Sequence, residues 1–175
     1  MLISKRLKLV PLSHQELQIL QESRFDLEIS KGWNISEQII EPDYLKELEG
    51  AFPFWIEQTA ANPKDYLWFT AWEIILTAEN LSIGGIGLMG LPNEAGETMT
   101  GYHIDGKFQK QGFASEALEC LLRWAFQNPD LKAVIAHTLP ENPASQKVLE
   151  KNKFEKIGED LDEGRMVLQW KLTRN

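Results

Sequence analysis

The sequence predicts an α/β or α+β domain built on a mixed sheet. Three observations predict it. Short strand-like runs lie on both sides of two helical segments in the first half of the chain. A strongly amphipathic helix over residues 112–127 follows directly on a strand-like run, and a continuous apolar stretch, Ala133-Val134-Ile135-Ala136, has the character of a buried strand between two helices. With 175 residues, 43% of them hydrophobic and 25% charged, the chain has the size and composition of one globular domain spanning residues 1–175.

Residues 6–12 alternate as a first strand and end near Pro11, where a helical pattern begins with Leu17, Leu20 and Phe25 inward. A second helical region covers residues 43–61. It carries Tyr44, Leu48, Phe52, Trp55, Ile56 and Thr59 near helical spacing, and Gly50 and Pro53 predict a break or two short helices. Residues 67–76 form a long strand, Thr77-Ala78-Glu79-Asn80 its hairpin turn, and 83–88 the returning strand. A third strand fits residues 98–104. In the helix after it, Ala114, Ala117, Leu118, Leu121, Leu122 and Ala125 mark the buried face and Glu116, Glu119, Arg123 and Gln127 the wet one, with Glu119 and Arg123 spaced to pair. Asn128-Pro129-Asp130 stops that helix. Asn142, followed by Pro143, is the N-cap of a helix ending near Asn152, and residues 154–157 and 165–172 close the sheet.

Eighteen Lys plus Arg against 26 Asp plus Glu give a net charge of -8, which argues against direct nucleic-acid binding and against anionic membranes. Lys107 and Lys110 remain as local basic groups for a phosphate. The single cysteine, Cys120, and the three histidines, His14, His103 and His137, make no zinc spacing, so no metal is expected. Cys120 sits at the edge of an apolar helix face and reads as packing. The N-terminus has no signal-peptide core and no stretch is long and apolar enough to span a bilayer, so the expected location is cytoplasmic.

Chemistry concentrates in Gln109-Lys110-Gln111-Gly112-Phe113-Ala114. A short glycine-containing loop that opens a helix leaves several N–H groups unpaired at the positive end of the helix dipole, a site suited to a phosphate or pyrophosphate. Gly85-Ile86-Gly87-Leu88-Met89-Gly90 also spells G-x-G-x-x-G, with Asp105 downstream. A dinucleotide fingerprint must lie between a strand and a helix, whereas these glycines lie inside a strand and lead into a turn, so that reading is rejected.

Gln109-x-x-Gly112-x-Ala114 resembles the Q/R-x-x-G-x-G/A signature of the GNAT N-acetyltransferases. Asn142-Pro143-Ala144-Ser145, then Val148-Leu149-Glu150-Lys151 and Phe154, with Gly101-Tyr102 upstream, resembles the branch containing the ribosomal-protein alanine acetyltransferases RimJ and RimL. The resemblance covers roughly residues 66–172 and the N-terminal third loosely. It implies the GNAT fold, a mixed, mostly antiparallel twisted sheet of about seven strands flanked by helices on both faces. It also implies acetyl-CoA as co-substrate, with its pyrophosphate on Gln109, Lys110, Gln111, Gly112, Phe113 and Ala114, and a backbone N–H near Ile104 or Asp105 polarising the thioester carbonyl. By the same resemblance Asn142 contacts the pantetheine arm or orders water near the thiol. Ser145 assists the departing sulfur, since the tyrosine used by other branches does not occur between Val134 and Phe154.

The family's glutamate base has no counterpart at Met99. His103 is a chemically attractive substitute, with Glu73, Glu94, Glu97, Asp105 and water as alternatives. Trp33, Phe52, Phe54 and Trp55 lie in the region that walls the acceptor groove in the family, and core packing explains them as simply. Lys153 replaces the family's glycine after the helix, so either a left-handed residue stands there at a cost of about 1 kcal/mol or the helix ends differently. The implied partner is a primary-amine acceptor, either a protein N-terminal α-amine or a small molecule such as a polyamine, an antibiotic or an amino acid. A CoA-binding protein with lost chemistry is the third reading, and the assembly is a monomer or a homodimer.

Overall fold

The structure, a computed structural model, describes residues 1–38, 42–162 and 164–174, the side chains of residues 42–44 and 47 apart. Among the described residues, eight strands form one sheet: β1 (Leu2–Ile3), β2 (Leu7–Pro11), β3 (Ala71–Leu76), β4 (Leu81–Leu88), β5 (Glu97–Ile104), β6 (Ala133–Thr138), β7 (Glu155–Asp162) and β8 (Arg165–Thr173). Their order is β1-β2-β3-β4-β5-β6-β8-β7, and every neighbouring pair is antiparallel except β5 with β6. The helices are α1 (His14–Glu22), α2 (Arg24–Lys31), α3 (Pro42–Ala61), α4 (Phe113–Ala125) and α5 (Pro143–Lys151). The expected mixed sheet is present, with the short β1 as an eighth strand.

α4 and α5 cover one face. There Leu9, Trp72, Ile74, Ile83 and Ile86 from the sheet pack with Leu118, Leu121, Leu149 and Phe154. α1, α2 and α3 cover the other face through a smaller core of Leu12, Leu17, Leu20, Leu27, Phe52 and Ala71. β3 is buried along its whole length, as a central strand between two helical layers must be.

Four expectations need correction. The first helical segment is two helices. Ser23, extended at φ −159°, ends α1 and caps α2, its side chain accepting from the Asp26 N–H at 3.1 Å. The break rephases the helix, so Arg24 and Glu28 turn inward and Phe25 is 55% exposed. Second, α3 runs unbroken past Gly50 and Pro53. Pro53 lies on the exposed face, while Phe52, Trp55 and Ile56 pack beneath and override the lost hydrogen bond; the expected inward position of Tyr44 falls outside the described side chains. Third, β3 begins only at Ala71, because residues 66–68 form a 3₁₀ turn held by the Trp72 Nε1 bond to the Leu67 carbonyl at 3.0 Å and the Gly90 N–H bond to the Trp68 carbonyl at 2.8 Å. Fourth, the strand expected over residues 154–157 extends to Asp162 as an almost fully exposed edge strand, in ladder with β8.

Elsewhere local signals give the expected elements. Residues 77–80 turn between β3 and β4 with Asn80 at φ 45°. The glycines of 85–90 lie in and just after β4. Lys153 adopts φ 67° after α5.

Candidate active site

β5 and β6 pair in parallel only at Glu97↔Ala133, Thr98↔Val134 and Met99↔Ile135. Beyond Met99, β5 stays on β4 as far as Ile104 and β6 stays on β8 as far as Thr138, so the two central strands part. The gap opens at the C-terminal ends of both strands, where each chain runs on to a helix start.

On the β5 side the helix start is the loop 109–112. Lys110 at φ 61° and Gly112 at φ 81° are both left-handed, and Gly112 is the N-cap of α4. Two successive positive-φ turns aim the backbone into the first turn of α4, whose N–H groups have no partner within the helix. The Gln109 side chain fastens the loop to the Ile104 carbonyl through Nε2 at 3.1 Å. A second brace comes from the N-terminus. Arg6 bonds Glu116 through Nε at 2.7 Å and the Gln111 carbonyl through Nη1 at 3.1 Å, and lies 4.2 Å from the centre of the Phe113 ring. Glu116 also accepts from Ser4 Oγ at 2.8 Å and from the Arg6 N–H at 2.7 Å, so this residue of the expected wet face is a clasp. Nothing local in the sequence marks Arg6 for this place.

The Asp105 N–H donates to the Ile83 carbonyl across β4 at 2.9 Å. By the alternation of a strand the Ile104 N–H is directed to the opposite edge, into the gap. Of the two backbone donors expected to polarise a carbonyl, Ile104 is therefore the one with the right direction.

On the β6 side the helix start is α5. Asn142 caps it, its Oδ1 accepting from the Ser145 N–H at 3.0 Å, with Pro143 in the first turn. Ser145, half-buried, meets a residue that the local sequence pattern does not single out. The Tyr102 hydroxyl, reaching across from β5, lies 3.0 Å from Ser145 Oγ. A tyrosine is thus beside Ser145 after all, supplied by a neighbouring strand rather than by the segment between Val134 and Phe154. Its only signal was the Gly101-Tyr102 pair itself.

His103 is on the other face of β5. It is the register partner of Gly85, which also pairs with Glu73. A Cβ on Gly85 would fall 2.9 Å from His103 Cε1, so the glycine makes room for the imidazole beside Glu73. Burial, and with it the Arg24 charge, outweighs Glu73 and Asp105 and lowers the His103 pKa to about 4. Glu73 is itself engaged. Arg24 donates to its two oxygens at 2.9 and 3.1 Å and Ser82 Oγ donates a short bond to it. Burial alone would raise its pKa, but the Arg24 guanidinium overcomes this and holds it below the usual carboxylate range. Glu28, fully buried, completes the cluster at 3.8 Å from Arg24 and accepts from the Ser36 N–H at 3.0 Å.

Of the remaining base candidates, Asp105 is buried and accepts from the Lys107 N–H at 3.1 Å. Glu97 pairs with Lys171 at 2.6 Å at the far end of β5, and exposed Glu94 precedes it, about 20 Å of strand from Ile104. Trp33, Phe52 and Trp55 belong to the core under α1–α3, and Phe54 is half-buried. Cys120 is buried in the main core and burial pushes its thiol pKa up, in keeping with packing. Among the described residues no cluster of three His, Cys, Asp or Glu is placed to hold a metal ion, and no helix is long and apolar enough to cross a membrane.

A profile described as "Acetyltransferase (GNAT) domain" matches residues 6–155. YjdG of Bacillus subtilis (strain 168), an uncharacterized N-acetyltransferase, is 30% identical over 86 residues, covering 49% of this chain and 51% of YjdG; the match spans about half the length of this curated relative. RimL, a ribosomal L7/L12 alpha-N-protein acetyltransferase solved in complex with coenzyme A, superposes with a TM-score of 0.67 at 19% identity over 98% of this chain and 96% of its own. The spermidine/spermine N-acetyltransferase SpeG from Vibrio cholerae gives 0.64 at 18% identity over 97% and 95%. These two likenesses show the shared fold. With the profile covering most of its length, and a strand gap flanked by two helix starts, the chain belongs to the GNAT acetyltransferase family.

Proposed function

We propose that this protein transfers the acetyl group of acetyl-CoA to a primary amine and works in the cytoplasm. A protein N-terminal α-amine, as in the RimJ/RimL branch, is the acceptor class we favour. The observation that carries the reading is the β5–β6 gap, with an N–H-rich helix start on one rim and the Ser145 hydroxyl on the other.

In this reading the first turn of α4, with Gln109, Lys110, Gln111, Gly112, Phe113 and Ala114, holds the pyrophosphate. The Ile104 N–H donates to the thioester oxygen and strengthens its bond as the tetrahedral oxyanion forms. Asn142 holds the pantetheine arm through its amide while its Oδ1 caps α5. The Ser145 hydroxyl hydrogen-bonds the sulfur as it gains charge. His103 stands as the base candidate. It is a neutral imidazole at pH 7 and a weak proton acceptor, so its own rate limb belongs near pH 4, while loss of the acceptor's ammonium proton, at about pH 8 for an α-amine, sets a separate limb at higher pH.

A small-molecule amine is the second reading, favoured by the net charge of -8, which suits a cationic acceptor such as a polyamine. One assay separates the readings: release of free CoA from acetyl-CoA in the presence of peptides beginning Ala, Ser or Met, and of spermidine. Turnover with the peptides supports the N-terminal reading. Turnover with spermidine alone moves the substrate to the second, and acetyl-CoA binding without turnover of any amine removes the enzymatic one.

A further inference from the structure

The side chain of Tyr102 reaches from β5 to the first turn of α5. Its ring packs against the main core, and its hydroxyl lies 3.0 Å from Ser145 Oγ and 3.2 Å from the Ser145 carbonyl. Each hydroxyl has one proton to donate, so the two hydroxyls can bond each other in two ways. In one, Tyr102 donates to the carbonyl and Ser145 donates back to the phenol oxygen. In the other, Tyr102 donates to Ser145 Oγ, and the serine proton is left to point into the gap. Only the second presents a donor to a sulfur atom there. Burial pushes the Tyr102 phenol up to about 12, so it keeps its proton, and its capacity to donate, throughout the neutral range.

We infer that Tyr102 is a positioning residue for acyl transfer, donating to Ser145 Oγ and so turning the Ser145 O–H toward the departing sulfur. The inference rests on the reading of Ser145 given above. As the C–S bond breaks, the electron pair goes to sulfur and the Ser145 O–H bond to it strengthens. The serine oxygen, polarised by that donation, in turn tightens its bond from Tyr102. Neither hydroxyl gives up its proton; the thiolate leaves hydrogen-bonded and is protonated by solvent afterwards.

The thiol of bound CoA reports this contact without any acceptor, because its thiolate can be followed by ultraviolet absorbance. CoA is titrated on the wild type, Ser145→Ala, Tyr102→Phe and the double variant, with thermal midpoints confirming that each is folded. The wild type should hold the bound thiol pKa below that of free CoA. Ser145→Ala should raise it by about one unit, a tenfold weaker stabilisation of the thiolate, and Tyr102→Phe by a smaller amount. The double variant should go no higher than Ser145→Ala, because Tyr102 acts only through Ser145. Ser145→Thr, which keeps the hydroxyl, should stay near the wild type. If Ser145→Ala raises the pKa and Tyr102→Phe leaves it unchanged, the role of Tyr102 is lost and that of Ser145 stands. Additive effects in the double variant also overturn the inference, by giving Tyr102 a path of its own. An unshifted Ser145→Ala removes both roles.

Discussion

On the face of the sheet under α4 and α5, β3 turns Trp72, Ile74 and Leu76 into an apolar core, whereas on the face under α1–α3 the same strand turns Glu73 against Arg24. The first arrangement tolerates the opening of the sheet, because the core beneath the gap is closed by α4 and α5 themselves. The second sits behind β3 and β4, where the sheet is intact, and holds two carboxylates, Glu73 and Glu28, about one guanidinium. Stability on the apolar face comes from area removed from water. At the Arg24–Glu73–Glu28 cluster it depends on every charge keeping its partner.

Removing one partner from the polar face should have the largest effect. Arg24→Ala leaves Glu73 and Glu28 buried without their cation and should cost about 3–5 kcal/mol in chemical denaturation. If the loss is under about 1 kcal/mol, the cluster is solvated in solution and the contrast between the faces disappears.

Acid should act on the same face. The folded pKa of His103, about 4, lies below its unfolded value of 6.5. Between these values the unfolded chain takes up a proton that the native state refuses, so stability is full above pH 6.5 and falls as the pH drops toward 4. The linkage amounts to about 3 kcal/mol. His103→Gln should flatten the denaturation profile between pH 6.5 and 4.5, above the range where the carboxylates contribute. A variant profile that still falls by the wild-type amount would place the imidazole in water.

The opposite rim is tested through ligand. Acetyl-CoA at a hundredfold excess over its Kd should stabilise the wild type by about 2.7 kcal/mol. Gly112→Asp should abolish that stabilisation, since it puts a side chain at φ 81° and a negative charge where the pyrophosphate approaches the backbone. A folded Gly112→Asp protein with the full acetyl-CoA shift would show that the anion binds elsewhere. Arg24→Ala, if its folded fraction is measurable, should retain the shift, which separates the two faces functionally.

The smallest effect belongs to the end of α5. Lys153, at φ 67°, makes its backbone N–H bond to the Glu150 carbonyl at 3.0 Å. Lys153→Gly should relieve the left-handed strain and stabilise the fold by about 0.5–1 kcal/mol without changing acetyl-CoA affinity. Destabilisation instead would mean that the lysine stem contributes packing that outweighs the strain.

The amphipathic stripe of α4, the Gly112 start, the Asn142 cap with Pro143 behind it and the turn at 77–80 were all determined by the sequence. Each depends on residues within one helical turn or one hairpin of each other. The same locality is why the loop at 109–114 could be read as a candidate anion site, whereas Ser145 became a candidate only through the family resemblance. Tertiary structure alone decided the rest. Whether α3 breaks at Pro53 was settled by what Phe52 and Trp55 pack against, and which way Phe25 faces by the phase that Ser23 imposes. Three contacts join Arg6 to Glu116, Arg24 to Glu73 and Tyr102 to Ser145. Those pairs are far apart in the chain, and the register of the sheet brings them together. No local period or cap carries that register, because it is fixed by the summed packing of both faces.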